Sequence, residues 1–165
     1  MHNLYPLKLP YLMAMNTIDR TESLSSGTGA FDFIYDGLID AQGLAYVGES
    51  GSLFSLIGGY TYRITANVYF SVVETTKNVH LQIISGGTLL NAASDMKNQR
   101  VSSGIMPITA DTFYTPPANT NVTIKTSITV GDSGATNYTF YGDAGSNHPV
   151  SNIIIHAISR NGWTA

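Results

Sequence analysis

The sequence has no cysteine and a single tryptophan, and only 12% of its 165 residues are charged. Without cysteine no disulfide can staple the fold, so stability has to come from packing and from contacts between subunits. A charged fraction about half of the roughly 25% usual in soluble domains leaves Ser, Thr, Asn and Gly to supply the polar surface, a composition suited to permanent burial in an assembly. The formal net charge of −3 offers no basic footprint, which excludes nucleic acid as the expected partner. No apolar run approaches the roughly 20 residues of a membrane-spanning helix. Pro6, Lys8 and Pro10 interrupt the apolar N-terminal stretch where a signal peptide would need an unbroken core, so these residues are read as retained and no membrane partner is expected.

What the sequence does contain is alternation. Past Gly58-Gly59, residues Tyr60, Tyr62, Ile64, Ala66, Val68, Phe70 and Val72 fall on one face, and Thr61, Arg63, Thr65, Asn67, Tyr69 and Ser71 on the other. This is the period of a long strand with one buried face, which a second sheet has to cover. Val79, Leu81 and Ile83 share a face in the same way, as do Val122, Ile124, Thr126, Ile128 and Val130. The pattern predicts strands over 30–35, 38–47, 53–57, 60–73, 78–84, 100–108, 121–130, 136–141 and 150–159. No segment holds helical periodicity for three turns, and no heptad or internal repeat is visible. With 43% hydrophobic residues the chain can bury one core, and the expected fold is an all-β, antiparallel two-sheet sandwich.

Three regions are expected. Residues 1–20 form an apolar arm, extended because its prolines forbid a regular helix, with Leu4, Tyr5, Leu7, Tyr11, Leu12 and Met13 available to dock on a neighbouring protein. Residues 21–29, rich in Ser, Thr and Gly, form a linker, and 30–165 form the sandwich domain. The last predicted strand departs from alternation: Ile153, Ile154, Ile155, Ala157 and Ile158 make it apolar on both faces. Such a strand is covered on both sides, either as a central strand under a loop or at a subunit interface.

Few residues point to chemistry. Gly131-Asp132-Ser133-Gly134 spells the surroundings of a serine-protease nucleophile, and His80 and Asp95 precede it, yet nothing else nearby fits that chemistry. It reads as a tight turn between two strands. His2, His80, His148 and His156 lack metal-ligand spacing, and Asp36, Asp40, Asp132 and Asp143 lack a calcium-loop pattern, so no metal or cofactor is expected. Asn121-Val122-Thr123 and Asn137-Tyr138-Thr139 are formal glycosylation sequons. Tyr114, Tyr138 and Tyr141 flank loop segments and are candidate ligand-binding residues, since tyrosine among Ser, Gly and Asn suits recognition.

The segments together resemble the C1q and tumour-necrosis-factor-like jelly roll. Phe54-Ser-Leu-Ile-Gly-Gly-Tyr60-Thr-Tyr62-Arg-Ile64 is similar to that family's Gly-x-Tyr-x-Phe strand start, Asn121-Val-Thr-Ile-Lys-Thr126 to its penultimate core strand, and Ser151-Asn-Ile-Ile-Ile-His-Ala-Ile158 to its closing strand. The resemblance spans residues 51–159. It implies a homotrimer with the closing strand near the threefold axis, so that Ile154, His156 and Ile158 form the trimer interface. The aromatic residues usual in that closing strand are missing, and the collagen stalk or membrane anchor of the family's animal members is not seen. Bacteriophage virion proteins reuse this trimeric jelly roll, and a cysteine-free, low-charge chain rich in Ser, Thr and Asn resembles those. The expected function is therefore that of a non-enzymatic virion protein: a homotrimeric capsid decoration protein docked on the major capsid protein or another virion protein. The alternative is the receptor-binding tip of a phage fibre that recognises a host surface glycan or protein. About thirty residues before the first predicted strand are too few for a fibre shaft, which favours decoration.

Overall fold

The structure, a computed structural model, describes residues 8–24, 29–47, 52–72, 78–92, 105–131, 136–142, 145 and 147–160. In chain order the strands are β1 (Tyr11–Met15), β2 (Arg20–Leu24), β3 (Gly29–Asp32), β4 (Gly37–Gln42), β5 (Ala45–Val47), β6 (Leu53–Leu56), β7 (Tyr60–Val72), β8 (Asn78–Ser85), β9 (Thr88–Ala92), β10 (Met106–Tyr114), β11 (Val122–Gly131), β12 (Thr136–Phe140) and β13 (Asn152–Arg160). They form two antiparallel sheets. One has seven strands in the order β2-β12-β7-β13-β1-β4, with β10 on the other side of β7, and the second has six in the order β5-β6-β11-β8-β9, with β3 also on β11.

Alternation drives this arrangement. Along β7, Tyr62, Ile64, Ala66, Val68 and Phe70 are fully buried, while Thr61, Thr65, Asn67, Tyr69 and Ser71 are half-exposed and Arg63 is exposed. Facing them across the core are Phe54 and Leu56 of β6, Leu81 and Ile83 of β8, and Ile124 and Ile128 of β11. Aromatic rings fill one end: Phe31, Phe33 and Phe70 pack around Phe140 at centroid distances of 5.3–6.1 Å, with Phe33 edge-on to Tyr35. Edge-to-face pairs of this kind add to the burial of apolar area.

Several expectations are corrected. The docking arm is not an appendage as far as Tyr11, Leu12 and Met13 are concerned: they belong to β1, which lies inside the seven-stranded sheet between β13 and β4. Leu12 and Ala14 are completely buried. The prolines lie upstream of this segment, and 11–15 alternates on its own. Leu4, Tyr5 and Leu7 lie outside the described residues. The linker boundary also moves, because Arg20–Leu24 is a strand paired with β12, so the sandwich begins well before residue 30.

The strand expected over 38–47 is two strands in different sheets, separated at Gly43, whose φ of 72° is open to glycine and costly for other residues. The strand expected over 100–108 instead runs Met106–Tyr114, and β9 was not anticipated.

Candidate functional site: the outer face of the seven-stranded sheet

The register of five strands places outward side chains in rows. In the first, Thr109, Asn67, Asn152 and Met15 stand side by side across β10, β7, β13 and β1. Thr109 Oγ1 donates to Asn67 Oδ1 (2.8 Å), and Asn67 Nδ2 donates to Asn152 Oδ1 (2.9 Å). The second row holds Asp111, Thr65, Ile154, Met13 and Asp40, and the third Phe113, Arg63, His156, Tyr11 and Gln42. Arg63 reaches the Asp111 carboxylate with Nε (3.1 Å) and Nη2 (2.9 Å), and Thr65 Oγ1 donates to it at 2.8 Å. Tyr11 donates its hydroxyl to Asp40 Oδ2 at 2.5 Å.

The electrostatics follow from these bonds. Hydrogen bonding from Arg63 holds the Asp111 carboxyl below the usual carboxylate range, against a smaller opposing effect of burial and with help from Thr65. The same pair raises Arg63, and hydrogen bonding to Asp40 raises the Tyr11 phenol. Between the polar groups lie half-buried Ile154, Met13 and Met15, with Ile158 exposed on β13 and Phe113 63% exposed on β10. Thr109, Asn67 and Asn152, Arg63, Asp111 and Thr65, and Tyr11 and Asp40 thus satisfy one another around an apolar strip. A surface built this way loses water while orphaning few polar groups, which is the property of a packing surface.

Of the residues anticipated for a trimer interface, Ile154 and His156 fall on this outward face, and Ile158 is exposed near the same strand's end. Within the chain, β13 is buried on its inner face alone, at Ile153, Ile155 and Ala157; its outward face has no covering element among the described residues. The candidate ligand-binding tyrosines are not brought together. Tyr138 is a correction: it is wholly buried and its ring stacks against Phe140. Tyr114 lies within β10, packed against the core, and accepts a hydrogen bond from Ser85 Oγ at 3.3 Å. Tyr141 is half-buried, with its hydroxyl 2.8 Å from Ser71 Oγ.

Asp36 accepts hydrogen bonds from the Thr17 amide (2.7 Å) and Arg20 (2.9 Å). Burial alone would raise its carboxyl, but those two donors outweigh it and lower the pKa. Asp36 and Asp40 are therefore engaged by protein donors, and among the described residues no cluster of three or more potential metal ligands exists. Asp132, Ser133, Gly134, Asp95 and Asp143 lie outside the described residues. The sequence reading did not single out Arg63, Asp111 or Phe113 as site residues. Arg63 and Asp111 are 48 positions apart, and only strand pairing makes them neighbours.

The other sheet presents a different surface. A groove of about 240 Å³ on its outer face is lined by Asp32, Leu53, Ile84, Gly86, Gly87, Thr123 and Lys125. Lys125 Nζ pairs with Asp32 at 2.8 Å across it.

Two antiparallel sheets enclosing one core, with the first and last strands adjacent in the same sheet, define a jelly roll. No known protein family matches the sequence, and no curated protein matches it either. Solved structures match by fold. Murine APRIL superposes with a TM-score of 0.55 at 12% identity, covering 92% of this chain and 100% of that chain. Eiger TNF from S. frugiperda gives 0.53 at 7% identity, covering 96% and 98%. The Gt strain of infectious bursal disease virus gives 0.53 at 10% identity, covering 94% of this chain and 39% of that one. The chain has the tumour-necrosis-factor-like jelly-roll fold, which also occurs in a viral protein.

Proposed function

We propose that the protein is a non-enzymatic structural subunit of a bacteriophage virion: a homotrimer that decorates the capsid surface and stabilises the shell. The observation that carries this reading is the outer face of the seven-stranded sheet, where Ile154, Met13, Met15, Phe113 and Ile158 are set among polar groups already bonded to one another. Burying that face against further copies removes apolar area from water at about 25 cal/mol per Å² while leaving few donors unpaired. The low charge and the absence of cysteine fit a chain whose stability is shared with neighbours. The likeness to a viral particle supports the fold of such a subunit. Its docking partner is the major capsid protein or another virion protein.

Two measurements test this. Light scattering at micromolar concentration is expected to give three chains per particle, and a monomer would overturn the trimer. Electron microscopy of intact virions labelled for the protein is expected to place it on the shell, and labelling confined to a fibre tip would transfer the reading to receptor recognition. The groove between Leu53, Ile84 and Lys125 favours that second reading, with a host surface glycan or protein as its ligand. A glycan screen showing binding lost in Lys125→Ala would support it.

A further inference from the structure

Resting on the reading of the groove as a recognition site, and independent of whether the subunit sits on a shell or at a fibre tip, we infer that the groove binds one neutral sugar ring. Asp32 accepts from, and Lys125 donates to, neighbouring hydroxyls of that ring. Register builds the site. Leu53, Lys125 and Ile84 stand in one row across β6, β11 and β8. Asp32 of β3 is opposite Ser127, the next position on the face that Lys125 occupies, and Thr123, two residues the other way, is exposed.

Size and charge narrow the ligand. The groove holds about 240 Å³, the space of about eight waters at about 30 Å³ each, which takes one pyranose ring and leaves no room for a second. The two charged residues in its lining pair with each other, Lys125 Nζ donating to Asp32 Oδ1 (2.8 Å) and Oδ2 (2.9 Å). A ligand of either net charge therefore gains no net attraction. The pair still has hydrogen bonds to offer, because an ammonium carries three donors and a carboxylate about four acceptor sites, and the two side chains are 34% and 42% exposed. Two neighbouring sugar hydroxyls, each donor and acceptor at once, use both.

The backbone narrows it further. At Lys125, β11 is paired on both sides, with β6 and with β8, so the floor of the groove has no free main-chain edge for an extended peptide to join. The remaining contacts are apolar or open. Half-buried Leu53 and Ile84 suit the C–H face of a sugar ring, and the turn beside them carries no side chains at Gly86 and Gly87, whose φ values of 52° and 84° keep larger residues away. Among the described residues no aromatic ring lines the groove, so stacking adds nothing and a single ring binds with a Kd on the order of 1 mM.

The test is amide chemical-shift mapping by NMR on the full chain, titrated with glucose, galactose and mannose and their methyl glycosides, and with sialic acid and glucosamine as charged probes. At least one neutral sugar is expected to shift the amides of Gly86, Gly87 and Lys125 and to bind more tightly than either charged probe. Equal binding of that sugar and its methyl glycoside supports the end unit of a longer glycan as the source, and binding of the free sugar alone supports a soluble one. Lys125→Met, which keeps the stem and removes the donors, is expected to weaken binding by at least about tenfold with an unchanged circular dichroism melt. Asp32→Asn leaves the lysine charge uncancelled and is expected to turn the preference to sialic acid. No neutral sugar shifting these amides, tightest wild-type binding by a charged probe, or unaltered affinity in Lys125→Met overturns this inference. Host-cell attachment lost in Lys125→Met while no sugar binds overturns the sugar assignment and leaves the recognition reading standing.

Discussion

The two sheets show water very different outer faces although both are built from the same alternating pattern. On the seven-stranded sheet, polar side chains of neighbouring strands bond to each other, as in the Thr109–Asn67–Asn152 ladder and the Arg63–Asp111–Thr65 cluster. What lies between them is apolar and level with the sheet. On the six-stranded sheet, Lys125 and Asp32 pair beside a groove whose rim is the Gly86-Gly87 turn, with φ values of 52° and 84°. Each face carries one partly exposed ion pair, Arg63–Asp111 or Lys125–Asp32, so what separates them is shape: a flat face that bonds its own polar groups suits a protein partner, whereas a grooved one suits a smaller ligand. The outward positions differ accordingly: Asn67, Asn152, Thr109, Met13, Met15 and Ile154 surround the Arg63–Asp111 pair on one sheet, and Leu53, Ile84, Thr123 and the Gly86-Gly87 turn surround Lys125–Asp32 on the other.

The largest expected effect tests how deeply the first sheet depends on its N-terminal strand. Deleting residues 1–20 removes β1 from between β13 and β4 and is expected to abolish the cooperative unfolding transition, while deleting residues 1–7 leaves it intact; circular dichroism melts distinguish the two. Next, the inner and outer faces of β13 can be separated by adjacent substitutions. Ile155→Ala, on the fully buried side, is expected to cost about 2–5 kcal/mol in denaturant unfolding. Ile154→Asp is expected to leave a folded chain that sediments as a monomer. If Ile154→Asp unfolds the chain instead, the outer face is part of the core and the contrast between faces collapses.

A smaller effect concerns alkali. Burial pushes Tyr62 up to about 12, with its hydroxyl hydrogen bond to Ile57 opposing, and Tyr35 is raised in the same direction. A raised folded-state pKa means that stability is fully present below the ordinary tyrosine value of 10.0 and is lost as pH rises from there toward 12. Phenolate absorbance is expected to show these two tyrosines ionising together with unfolding, and early, separate ionisation would contradict their burial. Smallest of all, Lys125→Ala on the grooved face is expected to change stability by less than about 0.5 kcal/mol.

The long β7 and the strands β8 and β11 of the opposing sheet were legible because a residue's facing repeats every second position, and Leu81, Ile83, Ile124 and Ile128 obey that rule. Where that rule is locally weak, the reading failed. Residues 11–15 alternate in burial but are apolar at every position, and with the nearby prolines that run disguised a core strand as an appendage. Thr88–Ala92 is a short strand with exposed Leu89 and half-buried Leu90, so its pattern carries almost no signal. Tyr138 was misplaced because its neighbours are turn formers, while its own burial is decided by Phe140 and the opposing sheet. The outer face was legible only in part: Ile154 and His156 stand out in an apolar strand, but the Arg63–Asp111 pair exists only once β7 and β10 are in register.

The order of strands has a consequence for synthesis on the ribosome. Strand β13, the last in the described chain, is inserted between β1, the first, and β7. Until it emerges, β1 lacks the neighbour that joins it to the rest of its sheet, and β7 carries an unpaired edge along much of its length. Such edges recruit other strands, so every nascent copy passes through a period of exposure to its neighbours on the same message. Strand β13 thus pairs with the described strand translated furthest from it, and the exposure of these edges ends only when β13 has emerged.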